Sequence, residues 1–300
     1  MKMFKKKTMQ KVVLFSLIAV MLLAAAGCGK QEAVDIRVGG KNYTEQFILA
    51  EILAQLIEEN TDYSVSLLTN LADTVLFDAI KADQVDVYME YTGTALIHLG
   101  QELMSDPGEV YELVKKEYEE KFDIHWLEPY GFNNTYAMVV RDELAEQYGL
   151  TTTTDLVPYA KDFVLGCSYA FTERHDGYPG LSKAYGLEFK DVRGMDSSLM
   201  YQAVDQESVE VVAGFTTDGR IPAFGLRVLE DDLNFFPPYN AATVIRGETL
   251  RAYPELEELL NGLAGRIDDA RMAELNGWVD LDKLEPADAA RRFLEEEGLI

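Results

Sequence analysis

Sulfur and imidazole are scarce in this chain. Of 300 residues two are cysteine, Cys28 and Cys167, and three are histidine, His98, His125 and His175, too widely spaced for an HxxxH or HExxH pair. No CxxC, Walker loop or G-x-S-x-G elbow occurs, so these metal, redox, phosphate-binding and hydrolase signatures are missing. The fragment Arg174-His175-Asp176 is a weak catalytic candidate, because adjacent residues of an extended loop point apart. The chain is therefore expected not to be an enzyme and to hold neither metal nor cofactor. Basic residues are also few: 27 Lys and Arg stand against 52 Asp and Glu, a formal net charge of −25. Such a chain has no electrostatic footprint for nucleic acid or for an anionic lipid surface. Its acids are spread along segments such as EVYELVKKEYEEKF and PELEELL, which read as solvated helix faces.

No apolar run is long enough to span a bilayer as a helix, which takes about 20 residues. The longest, Val12 to Ala26, follows a cationic stretch (Lys2, Lys5, Lys6, Lys7, Lys11) and precedes Gly27-Cys28. A positive region, a short apolar region and small residues before a cut are the layout of a secretory signal peptide, here residues 1–27. The segment AAAGC resembles a bacterial lipobox, with Ala25 where such sites usually carry Leu, and implies lipidation of Cys28. Residues 28–34 would be the tether of an exported protein held by a lipid anchor on the extracytoplasmic face of the cell membrane. Removing residues 1–27 takes five lysines and no acid, lowering the charge from −25 to −30. Cys167, in the apolar run FVLGCSYAF, is then left without a disulfide partner and is expected as a buried, inert thiol rather than a nucleophile.

From Val34 onward strands and helices alternate. VDIRVGG reads as a strand, and TEQFILAEILAQLIEEN as a helix with Ile48, Ile52, Leu53, Leu56 and Ile57 at helical spacing and Thr44 as N-cap. YSVSLL and VDVYMEY follow as strands around the helical DTVLFDAIKAD, and the pattern recurs after residue 135 with TYAMVVR, DFVLG and VEVVAG. This order predicts an α/β protein of βαβ units with mostly parallel sheets. Two such units in series predict two lobes, with GFNNTY and FFPPYN as the crossings and a helical tail from Tyr253. Ligands of open α/β sheets bind beyond the carboxyl ends of the strands, so the cleft is expected there.

Five segments, in order, carry a resemblance: GGKNYTEQFILAEILAQLIE, DVYMEYTGTAL, GFNNTYAMVVR, DGYPGLSKAYGLEFKDVRGMD and VLEDDLNFFPPYNA. Together they resemble the substrate-binding proteins of osmoprotectant ABC importers, over nearly all of the chain beyond Ile36. The resemblance implies a type II periplasmic-binding-protein fold whose lobes, 35–134 plus 239–300 and 135–238, close on a ligand. It implies a quaternary-ammonium cargo of the glycine betaine, carnitine or choline type, an ABC permease with its ATPase as partner, and a monomer. A quaternary ammonium has no N–H to donate, so ring faces must recognise it. The rings implied are Tyr91, Tyr136, Phe215 and Tyr239, with Asn134 facing the cation; Lys41, Thr94 and Arg174 are implied for a ligand carboxylate.

The residues also carry plainer readings. Lys41 fits a solvated loop lysine, and Arg174 a surface pair with Glu173 or Asp176. Tyr63, Tyr111, Tyr118 and Tyr185 read as ordinary packing. Phe215 stands where many family members carry Tyr, and Asn134 where some carry an acid, which leaves the ligand open to ergothioneine or another zwitterionic betaine. A surface sensor or adhesion protein that keeps the fold without transport is the alternative of another class.

Overall fold

The computed structural model describes residues 36–102, 104–173 and 177–300. The stretches expected as signal peptide (1–27) and tether (28–34), with Cys28, and Arg174 lie outside the described residues. Among the described residues ten strands build two five-stranded sheets. The first holds β1 (Ile36–Lys41), β2 (Val65–Leu71), β3 (Val87–Tyr91), β4 (Ile124–Asn133) and, from far along the chain, β10 (Asn240–Arg246), in the order β2-β1-β3-β10-β4. The second holds β5 (Tyr136–Arg141), β6 (Val164–Ser168), β7 (Asp191–Met195), β8 (Val211–Phe215) and β9 (Leu226–Val228), in the order β7-β6-β8-β5-β9.

Each sheet is half parallel. In the first, β1 runs parallel to β2 and β3, whereas β10 runs antiparallel to β3 and β4. In the second, β6 runs parallel to β7 and β8, whereas β5 runs antiparallel to β8 and β9. The antiparallel strands have a common origin. β10 and β5 are the strands on which the chain enters a sheet from the other one, so neither is delivered by a βαβ crossover, the connection that makes neighbours parallel.

The helix Thr44–Asn60 shows why the first sheet is stable. Its Ile48, Ile52, Leu53, Leu56 and Ile57 are all fully buried against that sheet and the C-terminal helices. Residues at such spacing form one apolar stripe, and burying each side chain contributes roughly 1.5–3 kcal/mol. The expected N-cap at Thr44 is displaced by one residue. Tyr43 takes the cap position without a side-chain bond, and Thr44 Oγ1 donates instead to Asp280 Oδ1 at 2.7 Å. A second cluster, with Phe77, Tyr88, Tyr118 and Trp126, covers the opposite face of the sheet, so β3 is buried on both sides. In the second sheet Cys167 lies fully buried on β6, and burial pushes its thiol up to about 11, which keeps it protonated and unreactive at neutral pH.

The chain passes between the sheets twice. It leaves the first after Asn133 and enters the second at Tyr136; it leaves β9 at Val228 and re-enters the first sheet at Asn240. The crossings lie side by side. Asn134 N–H donates to the Tyr239 carbonyl (3.2 Å), Tyr239 N–H to Asn133 Oδ1 (2.7 Å), and Thr135 Oγ1 to the Pro237 carbonyl (3.3 Å). A paired, twofold crossing between lobes is suited to hinge motion, because few backbone angles have to change. No helix among the described residues is long and apolar enough to cross a membrane.

Candidate functional site

A cavity of 580 Å³ opens at the crossings, and residues of both sheets line it. The range is that of small-molecule sites. Of the residues singled out in the sequence, Lys41, Tyr91, Thr94, Asn134, Tyr136, Phe215 and Tyr239 all line this one cavity. Arg174 is the exception, since it falls outside the described residues.

Strand ends deliver the rings. Tyr91 is the last residue of β3, and the helix Thr92–His98 begins directly after it. Tyr136 opens β5 and Phe215 closes β8, and the two are register partners across the antiparallel pair. Their centroids lie 4.7 Å apart with 35° between the planes, and Phe171 backs Tyr136 at 5.0 Å. Tyr239 comes from the second crossing. It is seated against Gly93, where an added Cβ would lie 2.7 Å from the ring and 2.9 Å from the Pro238 carbonyl. Thr92 pins the same segment, donating to the Pro238 carbonyl (3.0 Å) and accepting from Asn240 N–H (3.1 Å). Gly93→Ala therefore has to displace Tyr239. We expect the overpacking to cost about 1–3 kcal/mol, with most of it appearing as weaker ligand binding in a calorimetric titration.

Charges surround the rings. Lys41 is buried, and its ammonium meets Glu90 Oε1 at 2.5 Å and Asp73 Oδ1 at 2.6 Å. Tyr88 donates to the other Glu90 oxygen at 3.0 Å. His98 spans Asp73 Oδ2 (2.8 Å) and the Tyr118 hydroxyl (2.9 Å). Burial would raise the Asp73 pKa, but the bond from His98 and the charge and bond of Lys41 hold it at about 2. Asp73, Glu90 and His98 lie close enough together to suggest a cation site, and the Lys41 ammonium supplies the positive charge there. Any ligand carboxylate meeting Lys41 would share it with these two acids. Across the cavity Arg220 grips Asp218 through Nε (2.8 Å) and Nη2 (2.5 Å), with its guanidinium 4.5 Å from the Tyr201 ring.

Among the described residues, four lining acids, Glu45, Asp73, Asp218 and Asp280, thus stand against two lining bases, Lys41 and Arg220. A cleft lined with an excess of one sign concentrates ligands of the opposite sign, here cations. Glu45 is the lining residue that sequence reading missed with the most consequence. Burial raises its pKa, against hydrogen bonds from Tyr91, Thr217, Asn276 and Asn134. The available signal was an acid in the first turn of a helix whose N-terminus faces the cleft. That position also suits the helix dipole and is therefore ambiguous.

Residues 34–296 match the substrate binding domain of ABC-type glycine betaine transport systems. The carnitine transport binding protein OpuCC of Listeria monocytogenes is 38% identical over 276 residues, which cover 91% of this chain and 90% of that protein. The ergothioneine transport permease/ergothioneine binding protein EgtU of Helicobacter pylori is 36% identical over 269 residues, 89% of this chain but 48% of that longer protein. The crystal structure of a glycine betaine/carnitine/choline ABC transporter superposes with a TM-score of 0.85 at 36% identity, covering 88% of this chain and 99% of that one. Family match, relatives and fold agree, and the chain belongs to the family of substrate-binding domains of ABC-type glycine betaine transport systems.

Proposed function

We propose that this protein is an extracytoplasmic receptor that captures a quaternary-ammonium osmoprotectant of the glycine betaine, carnitine or choline type and delivers it to an ABC permease. The observation that carries this reading is the convergence of Tyr91, Tyr136, Phe215 and Tyr239 on one cavity whose lining is net acidic. A fixed cation without N–H donors is held by ring faces, at about 2 kcal/mol or more for a desolvated ring, and is drawn in by the acidic field. In this account the four rings form the cation box with Asn134 at its edge, while Lys41, Thr94 and Arg174 meet a carboxylate when the ligand has one. The lobes are 35–134 plus 239–300 and 135–238, and ligand contacts to both favour the closed state. Lipidation of Cys28 would hold a monomer at the membrane within reach of its permease. Nothing in the chemistry of the cleft calls for catalysis, and we assign none.

The Helicobacter relative supports a second reading, in which the same cavity takes ergothioneine or another zwitterionic amino-acid betaine. Calorimetric titration of a chain starting at Gly29, stripped of carried-over ligand by unfolding and refolding, separates the two. The panel is glycine betaine, carnitine, choline, proline betaine, ergothioneine and histidine. Micromolar or tighter binding of glycine betaine, carnitine or choline is the expected result. Binding of ergothioneine alone favours the second reading, and silence across the panel from a folded protein contradicts both.

A further inference from the structure

Glu45 is 3% exposed, yet among the described residues no basic side chain is one of its hydrogen-bond partners. Its Oε1 accepts from the Tyr91 hydroxyl (2.5 Å) and Asn134 Nδ2 (2.9 Å), and its Oε2 from Thr217 Oγ1 (2.7 Å) and Asn276 Nδ2 (3.0 Å). These donors come from the end of β3, from the first crossing, from the turn after β8 and from the helix Asp269–Asp280. Thr217 therefore belongs to the second sheet's side of the cleft, while Tyr91 and Glu45 belong to the first. Asn276 Nδ2 also donates to the Thr217 carbonyl (2.8 Å), so the turn is held twice.

The same turn makes a second, independent contact. A Cβ on Gly219 would lie 2.5 Å from Gly277 N and 2.7 Å from the Ala273 carbonyl oxygen, so backbone meets backbone across the cleft. The φ of Gly219 is −62°, an ordinary helical value, so close approach and not conformation calls for glycine there. Separating the lobes would take Thr217 away from Glu45 and leave a buried carboxylate short of a donor. Of the four bonds to the carboxylate, the one from Thr217 joins the two lobes, so it alone depends on their approach.

We propose that Glu45 is a positioning residue for ligand capture: one carboxylate orients the Tyr91 ring and at the same time latches the Thr217 turn of the opposite lobe, coupling ring placement to closure. This rests on the cavity being the ligand site proposed above. The test compares the parent with Thr217→Val, Glu45→Gln, the double variant and Gly219→Ala, by titration of the bound trimethylammonium compound and by small-angle scattering with and without it. Losing a hydrogen bond to a charged group predicts about tenfold weaker binding for Thr217→Val. Glu45→Gln is expected to lose at least as much, and adding Thr217→Val to it to cost less than in the parent, because the bond then removed is neutral and no longer charge-assisted. Gly219→Ala, whose Cβ would press on the Gly277 and Ala273 backbone, is expected to keep a cooperative melting transition but to remain expanded when ligand is added. Additive losses in the double variant, or compaction of Thr217→Val and Gly219→Ala like that of the parent, would overturn the latch while leaving the function standing. If the parent binds no panel compound, the functional reading fails instead. The unliganded scattering radius then decides the latch: a larger radius in Thr217→Val supports it, and an unchanged one refutes it.

Discussion

Tyr91→Ala and Tyr239→Ala each weaken binding of the trimethylammonium ligand by about ten- to a hundred-fold, or 1–3 kcal/mol. The effect is large because neither ring has a substitute. Tyr91 is almost wholly buried at the end of β3, so truncation opens a hole at the floor of the cavity. It also takes one of four donors from Glu45. Tyr91→Phe divides these contributions, keeping the ring face while removing the hydroxyl, and is expected to fall between the parent and Tyr91→Ala. Tyr239 sits on the second crossing, and its loss removes the ring that Gly93 was left bare to admit. Tyr63→Ala is the control: that ring packs edge-on against Tyr253 at 4.6 Å, away from the cavity, and its loss leaves affinity unchanged. Calorimetric titration reads all four variants. If both cavity variants bind as tightly as the parent, the rings are not the box.

Lys41→Met is expected to destabilise the fold by about 3–5 kcal/mol in urea unfolding, because removing one partner strands a buried charge. Glu90 is fully buried on β3 and would keep only the Tyr88 hydroxyl and the Tyr91 N–H as donors. Adding Glu90→Gln to Lys41→Met recovers part of the loss, which a purely ligand-binding lysine would not do. The network also gives stability a pH dependence. Asp73 is held near 2 in the folded chain, below its ordinary value, so its contribution is present above the usual carboxylate range and is lost as pH falls toward 2. Glu45 works in the opposite sense: its raised pKa favours folding when it is protonated and opposes folding as pH rises through that pKa. Asp73 is 42% exposed, so water screens its share, and Asp73→Asn flattens the acid limb of the stability profile without abolishing it.

Much of this architecture can be read from residue order, because period and spacing report local structure directly. The stripe Ile48, Ile52, Leu53, Leu56, Ile57 admits only a helix with one buried face. The run VYMEY of β3 reads as a strand despite its glutamate, and the structure buries it on both faces. Two strands carry no such signal. β4, IHWLEPYGFN, contains Pro129 and pairs with β10 through register shifts, so its alternation is broken. β7, DVRGM, lies at a sheet edge and is half exposed, so it lacks the apolar run of an inner strand. The site divides in the same way. Strand ends are legible because each strand is, but that Tyr91, Tyr136, Phe215 and Tyr239 act as a set is implied by the family resemblance, with Tyr239 on a crossing rather than at a strand end. Two of the four donors to Glu45 are not visible: Thr217 and Asn276 reach it from 172 and 231 residues away, and no local pattern encodes such a meeting.

The most direct test of the central claim is whether the cavity recognises charge on a methylated centre. The measurement is calorimetric titration of the tightest-binding trimethylammonium compound beside its neutral tert-butyl isostere, in which carbon replaces nitrogen and the shape is preserved. Ring faces and an acidic lining predict that the cation binds at least tenfold more tightly, a difference of about 1.4 kcal/mol or more. Equal affinity for the two would mean that the pocket reads shape and apolar surface alone, and would contradict the account.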